Sequence, residues 1–155
     1  MVPPSNEVNW AGKLLLSYSR AAFSASRSPR NAKGFYTVDT LKKDQLILGP
    51  FQGKVACQTI PIGRGVCGAA AKQLQTVRVD DVDAFPGHIA CDSESRSEIV
   101  VPVIATVENG IGGASETKLV AIIDIDCAVL NGFDQVDQTY LERLAALTAS
   151  SCDWP

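Results

Sequence analysis

The chain has 155 residues, of which 46% are hydrophobic and 20% are charged. This length suits a single domain, and the composition excludes a disordered or collagen-like chain. The net charge of −3 is unevenly distributed, because residues 1–50 hold seven lysines and arginines against three acids and residues 51–155 hold seven against fourteen.

The charge and hydropathy patterns exclude two further classes of protein. The acidic body argues against nucleic acid as a partner, since phosphate binding needs a basic surface. No apolar run approaches the roughly 18 to 20 residues of a membrane-spanning helix, so we expect no membrane partner. The five cysteines are an odd number and no signal-peptide pattern opens the chain. Both features indicate a reducing compartment, the cytoplasm or the nucleus.

The first third of the chain contains two unusual segments. Residues 1–12 are short and rich in turn-forming residues. Residues 13–34 contain five basic residues, five serines and no acid, and they account for the positive charge of this third. We interpret residues 13–34 as an atypical basic insertion without stable order, and we assign the folded domain to residues 35–155.

Beyond the basic segment, short apolar runs are separated by glycine and proline. They predict strands over residues 34–38, 45–51 and 55–60. An alanine-rich stretch predicts a short helix over 65–75, and a strand over 76–79 follows it.

Two longer apolar runs, over 98–104 and 118–126, predict adjacent buried strands, and the glycines at 109–113 favour an antiparallel hairpin. Asp134 is the predicted N-cap of a last helix. The apolar face of this helix is predicted to consist of Val136, Tyr140, Leu144 and Leu147. The elements together predict an α+β domain with a central, mostly antiparallel sheet of about six strands flanked by helices.

Residues 63–68, Gly-Arg-Gly-Val-Cys-Gly, match the glycine pattern of dinucleotide-binding loops. In such a loop the glycines let a pyrophosphate approach the N-terminus of a helix. Here the predicted helix is short, and no further alternation of strand and helix follows it. The pattern therefore favours a tight loop shaped by glycine, and we expect no cofactor.

Three cysteines in the middle of the chain, Cys57, Cys67 and Cys91, allow several interpretations. With His88 they offer the ligands of a zinc site, but the gaps of 10 and 24 residues differ from those of common zinc sites, so we expect no metal. Each cysteine can also be an inert core residue. This interpretation is weakest for Cys91, because its polar surroundings and the nearby His88 favour a reactive thiolate.

Two carboxylates, Asp124 and Asp126, end an otherwise apolar strand and point to the same face of it. Such acids are costly to bury unless they are paired or exposed. They can bind a cation or share a proton, and Glu98 on the neighbouring strand can join them. The alternative is that they cap the strand at the solvent edge.

Five segments together resemble one family. They are LGPFQGKVAC (48–57), IPIGRGVCG (60–68), DVDAFPGHIACD (81–92), SRSEIVVPVI (95–104) and DIDC (124–127). Their order and content are similar to those of the free methionine-R-sulfoxide reductases, enzymes built on a GAF domain. The resemblance runs from about residue 34 to the C-terminus, and the Cys-Asp-Trp tail at 152–154 is most similar to fungal members.

The resemblance implies a role for each of the three cysteines. Cys91 matches the attacking thiol and Cys57 the resolving thiol, whereas Cys67 shares the pocket and assists or substitutes in resolution. The implied reaction reduces free methionine-R-sulfoxide through a sulfenic acid and an intramolecular disulfide, which thioredoxin reopens. The alternative is a GAF-type sensor that binds a small ligand without chemistry, although a sensor has no need of three cysteines in one pocket.

The resemblance also implies a substrate site. Acids matching Glu98, Asp124 and Asp126 hold the amino group of the substrate and help to protonate the sulfoxide oxygen, and aromatic residues matching Trp10 and Tyr36 line the pocket. The sequence departs from the family here, because the basic segment divides the run that contains both aromatics. The helix that precedes this run in the family has no counterpart. We therefore expect the insertion to be damaging and the apolar face of the last helix to be exposed. Relatives are often dimers, so a homodimer is a further expectation.

Overall fold

The computed structural model describes residues 30–53, 57–89, 91–108 and 114–155. These residues form six strands, two α-helices and one short 3₁₀ turn at Val82–Ala84. The strands are β1 (Arg30–Val38), β2 (Gln45–Gly53), β3 (Thr59–Pro61), β4 (Val77–Val79), β5 (Ser97–Glu108) and β6 (Ser115–Cys127). The helices are α1 (Gly65–Gln73) and α2 (Gln135–Ser151). Residues 109–113, predicted to form the turn of a hairpin, lie outside the described residues.

The six strands form a single antiparallel sheet in the order β3-β2-β1-β6-β5-β4. The long neighbours β5 and β6 pair from Ser97 opposite Cys127 to Glu108 opposite Ser115. This pairing confirms the predicted hairpin, and the sheet with its two helices confirms the predicted α+β architecture.

The central strands are apolar on both faces because both faces of the sheet are covered. Ile99 and Val101 belong to a core cluster on the α2 side, together with Leu141 of that helix. Val100 and Ile122 belong to a second cluster on the α1 side. Alternate residues of a strand point to opposite faces, so the even-numbered residues of β5 and β6 near these positions face α1. This alternation determines the face of the sheet on which Glu98, Asp124 and Asp126 lie.

Strand β1 begins at Arg30, four residues earlier than predicted. Ala32 pairs with Gly53 on one side and with Asp126 on the other. The prediction that residues 30–33 lack stable order is therefore wrong. The strand lies between β2 and β6, and its backbone hydrogen-bonding groups are satisfied by continuing the pairing. The rest of the predicted insertion, like residues 1–12, lies outside the described residues.

Helix α2 begins where it was predicted. The side chain of Asp134 accepts hydrogen bonds from the backbone N–H groups of Val136 and Asp137, and the Asp137 side chain accepts from the N–H of Asp134. This reciprocal arrangement is a capping box. Neither α1 nor α2 is both long and apolar enough to cross a membrane.

The side of α2 that faces the sheet differs from the predicted apolar face. Its buried residues are Leu141, Ala145 and Thr148, which are spaced as one stripe of a helix. Three of the four predicted residues are largely exposed, namely Val136 (60%), Tyr140 (63%) and Leu147 (56%). Only Leu144 is partly buried against the core. The predicted apolar face is therefore exposed, as expected. The helix packs on the sheet through a different set of residues, Leu141, Ala145 and Thr148.

Candidate active site

A cavity of about 60 Å³ lies on the α1 side of the sheet, several times the space that one water molecule requires. Elements β1, α1, β5 and β6 contribute to its wall, together with the loops before β3 and before β5. Seven of the eight residues that the sequence analysis assigned to the site line this cavity, namely Tyr36, Cys57, Cys67, Cys91, Glu98, Asp124 and Asp126. The eighth, Trp10, lies outside the described residues.

The three acids come together because of the pairing of β5 with β6. Glu98 lies directly opposite Asp126, and Asp124 lies opposite Val100. All three therefore point to the α1 side of the sheet. Glu98 and Asp124 are only 6% and 7% exposed. The alternative that the aspartates cap the strand at a solvent edge is therefore wrong for Asp124.

Burial is the main reason that the acids resist ionisation. It raises the pKa of Glu98 and Asp124 well above their usual ranges, and their mutual proximity with Asp126 adds to the effect. One oxygen of Asp124, Oδ1, is buried without a hydrogen-bond partner. The cluster thus contains a buried acceptor without a hydrogen-bond partner.

Asp126 differs from the other two acids because it is less deeply buried. Burial raises its pKa to about 6, while a hydrogen bond from Ser95 counteracts part of the shift and the charge of Asp92 adds to it. Ser95 is itself buried at 7% exposure and lines the cavity. The sequence gives no sign of a role for Ser95. A single serine before a strand is too common to indicate a site.

Replacement of Asp126 by asparagine is expected to raise the free energy of unfolding by about 1 to 2 kcal/mol near neutral pH. The folded-state pKa of about 6 lies above the ordinary aspartate value of 3.8, so the folded chain binds more protons than the unfolded chain between these two pH values. It therefore loses stability as the pH rises through that window. The variant avoids this loss, and its advantage should shrink as the pH falls towards about 4. Urea unfolding of both chains across this pH range measures the difference.

The matched control is Glu116→Gln, an exposed position on the same strand. We expect it to change the stability little at any pH in the range, since surface substitutions have small effects. If the Asp126→Asn chain is no more stable than the parent near neutral pH, then burial of the ionised Asp126 side chain does not destabilise the folded chain, and the prediction is wrong.

Glycines shape the loop that leads into α1. Gly63 and Gly65 have positive φ angles of 92° and 63°, which favour glycine. A side-chain Cβ at Gly68 would lie 2.5 Å from the carbonyl oxygen of Pro61. These observations confirm that the glycine pattern forms a tight loop. The loop places Cys67 in the first turn of α1, facing the acids.

The Cys67 thiol is buried and donates a hydrogen bond to Oε1 of Glu98, with 3.5 Å between the two atoms. Burial, reinforced by the charges of Asp124, Glu98 and Asp126, raises its pKa well above the usual range. Cys67 is therefore a neutral thiol and a poor nucleophile in the unliganded site. Burial also raises the pKa of Tyr36, with Asp124 as the next cause, so this phenol remains neutral.

Cys57 and Cys91 are joined by a disulfide, with their Cα atoms 5.4 Å apart. This separation is typical of disulfides. The bond connects the loop before β3 to the loop before β5, across 34 residues of sequence. The zinc site considered from Cys57, Cys67, His88 and Cys91 is not formed in this state, because two of its four ligands are bonded to each other.

Two further cysteines, Cys127 and Cys152, are not part of the disulfide and do not line the cavity. Cys127 is fully buried, and a Cβ at Gly132 would lie 2.6 Å from its Sγ and 2.7 Å from Oγ of Ser97. This tight packing is typical of an inert core residue. Cys152 is partly exposed at the end of α2.

The site therefore combines a disulfide, a neutral buried thiol and a cluster of carboxyl groups around one cavity. A thiol–disulfide pair can cycle between two oxidation states. The carboxyl groups can bind a cation and can donate a proton. The chemistry that fits both parts is thiol-based reduction of a small substrate that also carries a positively charged group.

Comparison with known proteins places the chain in a family. The GAF domain model matches residues 13–151, a range that includes the whole basic segment 13–34. The chain is 46% identical over 148 residues to the free methionine-R-sulfoxide reductase of Saccharomyces cerevisiae, covering 94% of this chain and 77% of that protein. It is 44% identical over 116 residues to the Escherichia coli protein of the same name, covering 75% of this chain but only 62% of the relative.

A solved structure supports the same assignment. Free methionine-R-sulfoxide reductase from Neisseria meningitidis, solved in complex with its substrate, superposes with a TM-score of 0.74 at 41% identity. The match covers 94% of this chain and 79% of that one. The GAF-like architecture predicted from the resemblance is thereby confirmed, and the chain belongs to the free methionine-R-sulfoxide reductase family of GAF-domain proteins.

Proposed function

We propose that the chain reduces free methionine-R-sulfoxide to methionine, with Cys91 as the attacking thiol and Cys57 as the resolving thiol. The observation that carries the proposal is the position of the Cys57–Cys91 disulfide in the same cavity as Glu98, Asp124 and Asp126. The disulfide is the expected end state of the reaction, and the acids are the expected contacts of the amino acid.

The proposed reaction has three steps. The Cys91 thiolate attacks the sulfoxide sulfur while a protonated acid, Glu98, donates to the oxygen, and methionine leaves as Cys91 becomes a sulfenic acid. The Cys57 thiol then attacks the sulfenic sulfur, a disulfide forms and water leaves. Finally a dithiol reductant opens the disulfide by exchange and is itself oxidised to a disulfide.

The acids explain why a free amino acid is the substrate. An α-ammonium group offers three N–H donors and a positive charge, and both meet the unsatisfied Oδ1 of Asp124. A methionine sulfoxide within a protein carries a neutral amide at that position. The amide gains no charge interaction, so the cavity favours the free amino acid.

The proposed role of Cys67 follows from its hydrogen bond to Glu98. A neutral thiol at 3.5 Å from Oε1 orients the carboxyl group rather than attacking a sulfur atom. We assign resolution to Cys57 because it is the residue bonded to Cys91. Tyr36, which is 2% exposed and lines the cavity, supplies an apolar wall for the substrate side chain, and Trp10 is proposed as a second aromatic wall.

The test is NADPH oxidation by the purified chain with thioredoxin, thioredoxin reductase and free methionine-R-sulfoxide. We expect steady turnover with this epimer and only background turnover with free methionine-S-sulfoxide, the matched control substrate. Methionine formation with dithiothreitol in place of thioredoxin is measured in parallel. It shows whether a lack of turnover is due to an unsuitable reductant or to a chain that does not reduce the sulfoxide. A folded chain that binds the substrate but produces no methionine with either reductant would favour the non-catalytic sensor instead.

Thioredoxin as reductant, a cytoplasmic location and a homodimer complete the proposal. A cytoplasmic location supplies the dithiol reductant that the third step needs. The exposed apolar residues of α2, Val136, Tyr140 and Leu147, are the proposed surface between two copies. We propose no nucleic-acid or membrane partner.

A further inference from the structure

We propose that the chain binds a single zinc ion on Cys67, Glu98 and Asp124 and that the ion occupies the place of the substrate's ammonium group. One ligand atom from each of these buried residues lies within 4.8 Å of the other two. The site differs from the four-residue set that the sequence suggested, since it shares only Cys67 with that set.

The spacing of the ligands fits tetrahedral zinc. Zinc lies about 2.3 Å from a cysteine sulfur and about 2.0 Å from a carboxylate oxygen, so two such ligands are about 3.5 Å apart at the tetrahedral angle. The distance from Sγ of Cys67 to Oε1 of Glu98 is 3.5 Å. These two atoms are therefore already separated as zinc requires.

The third ligand is a carboxylate oxygen of Asp124, and one of its two oxygens has no hydrogen-bond partner. Oδ1 is buried without a hydrogen bond, in a side chain that is 7% exposed. Burial of a carboxylate oxygen without a partner costs free energy, and a bound cation or a hydrogen-bond donor offsets this cost. Three protein ligands also leave one coordination position open to the cavity, as in zinc sites that hold a water or an exogenous ligand.

The donor set selects the kind of ion. A thiolate with two carboxylates suits zinc, whereas magnesium and calcium prefer six or more oxygen ligands. Binding forms a zinc–sulfur bond as the Cys67 thiol loses its proton to solvent, and Glu98 loses its proton as it becomes a ligand. No electrons are transferred. The two positive charges of the ion replace the protons that keep the cluster stable in its absence.

The disulfide leaves all three ligands available. Cys57 and Cys91 are bonded to each other, and neither belongs to the proposed site. We therefore expect zinc to bind the oxidised chain. Zinc binding itself does not depend on the proposed function. Competition between zinc and the substrate does rest on it. If the acids hold the ammonium group, then zinc inhibits the enzyme by competing with the substrate.

The experiment is calorimetric titration of the oxidised chain with zinc alone, after a thiol count has verified the disulfide. We expect one ion per chain with at least micromolar affinity. Cys67→Ser should weaken binding by about 100-fold or more because it removes the thiolate ligand. Cys152→Ser, a cysteine outside the cavity, should bind as the parent does. Thermal unfolding of both variants shows whether they are folded, and Glu98→Gln serves as a second ligand variant.

Cobalt in place of zinc supplies a spectroscopic signature. Ligation by Cys67 should give a sulfur-to-cobalt charge-transfer band in the parent and in Cys152→Ser but not in Cys67→Ser. No stoichiometric binding by the oxidised parent, or unchanged binding by the folded Cys67→Ser chain, would overturn the proposal. Both readouts are independent of turnover, so an inactive chain that binds zinc contradicts only the proposed function.

Discussion

Cys91→Ser is expected to abolish turnover, lowering the rate of methionine formation by about 1,000-fold or more, because it removes the thiolate that attacks the sulfoxide sulfur. The measurement is NADPH oxidation in the thioredoxin-coupled assay with free methionine-R-sulfoxide. Cys152→Ser is the matched control, because this cysteine lies outside the cavity and is only partly buried. It should turn over at the rate of the parent chain.

A single-turnover experiment separates attack from resolution. In the absence of any reductant, reduced Cys57→Ser should still form about one equivalent of methionine and retain a sulfenic acid on Cys91. Reduced Cys91→Ser should form none. The opposite pattern would exchange the roles of the two cysteines. Formation of methionine by both variants would mean that Cys67 is the attacking thiol, against the raised pKa of that thiol.

Asp124→Asn is expected to lower kcat/KM for free methionine-R-sulfoxide by about 30- to 1,000-fold. The substitution keeps the size of the side chain but removes the charge that meets the substrate's ammonium group, a loss of about 2 to 4 kcal/mol for a buried charge interaction. Initial rates over a range of substrate concentrations measure it. Glu116→Gln on the exposed end of the same strand should leave kcat/KM unchanged.

The substrate itself provides a second test of this charge interaction. N-acetylmethionine-R-sulfoxide carries an amide in place of the ammonium group and should be a poor substrate for the parent chain. The preference for the free amino acid should shrink in Asp124→Asn, because the variant has lost the group that distinguishes the two. A preference that stays the same in the variant would show that the acids do not recognise the ammonium group.

The sheet and its helices could be predicted because their signals are local. The two long apolar runs lie in β5 and β6, and Asp134 caps α2 through its nearest neighbours. The early start of β1 had no such signal. Residues 30–33 are extended because they lie between β2 and β6, and sequence alone does not reveal which partners a strand will have.

The residues of the candidate site could be predicted from the sequence, but their burial and the resulting pKa shifts could not. The spacing of Asp124 and Asp126 places them on one face, yet it does not distinguish a solvent edge from a buried pocket. Burial of Asp124 depends on Glu98 and Cys67, which come from a different strand and from α1. The pairing of Cys57 with Cys91 was implied only by resemblance, since spacing allows other pairs.

The pairing register of β5 and β6 also determines which insertions and deletions this lineage can accept. One residue inserted between Glu98 and Val103, where the strands are in regular register, would carry Glu98 to the opposite face of the sheet. The proposed catalytic acid would then point towards α2 and away from the cysteines. Length changes near the hairpin end lie beyond the irregularity at Val103 and Ile104 and leave the acids in place. Over evolutionary time, we expect the length of this hairpin to vary at its tip and to remain fixed beside the acids.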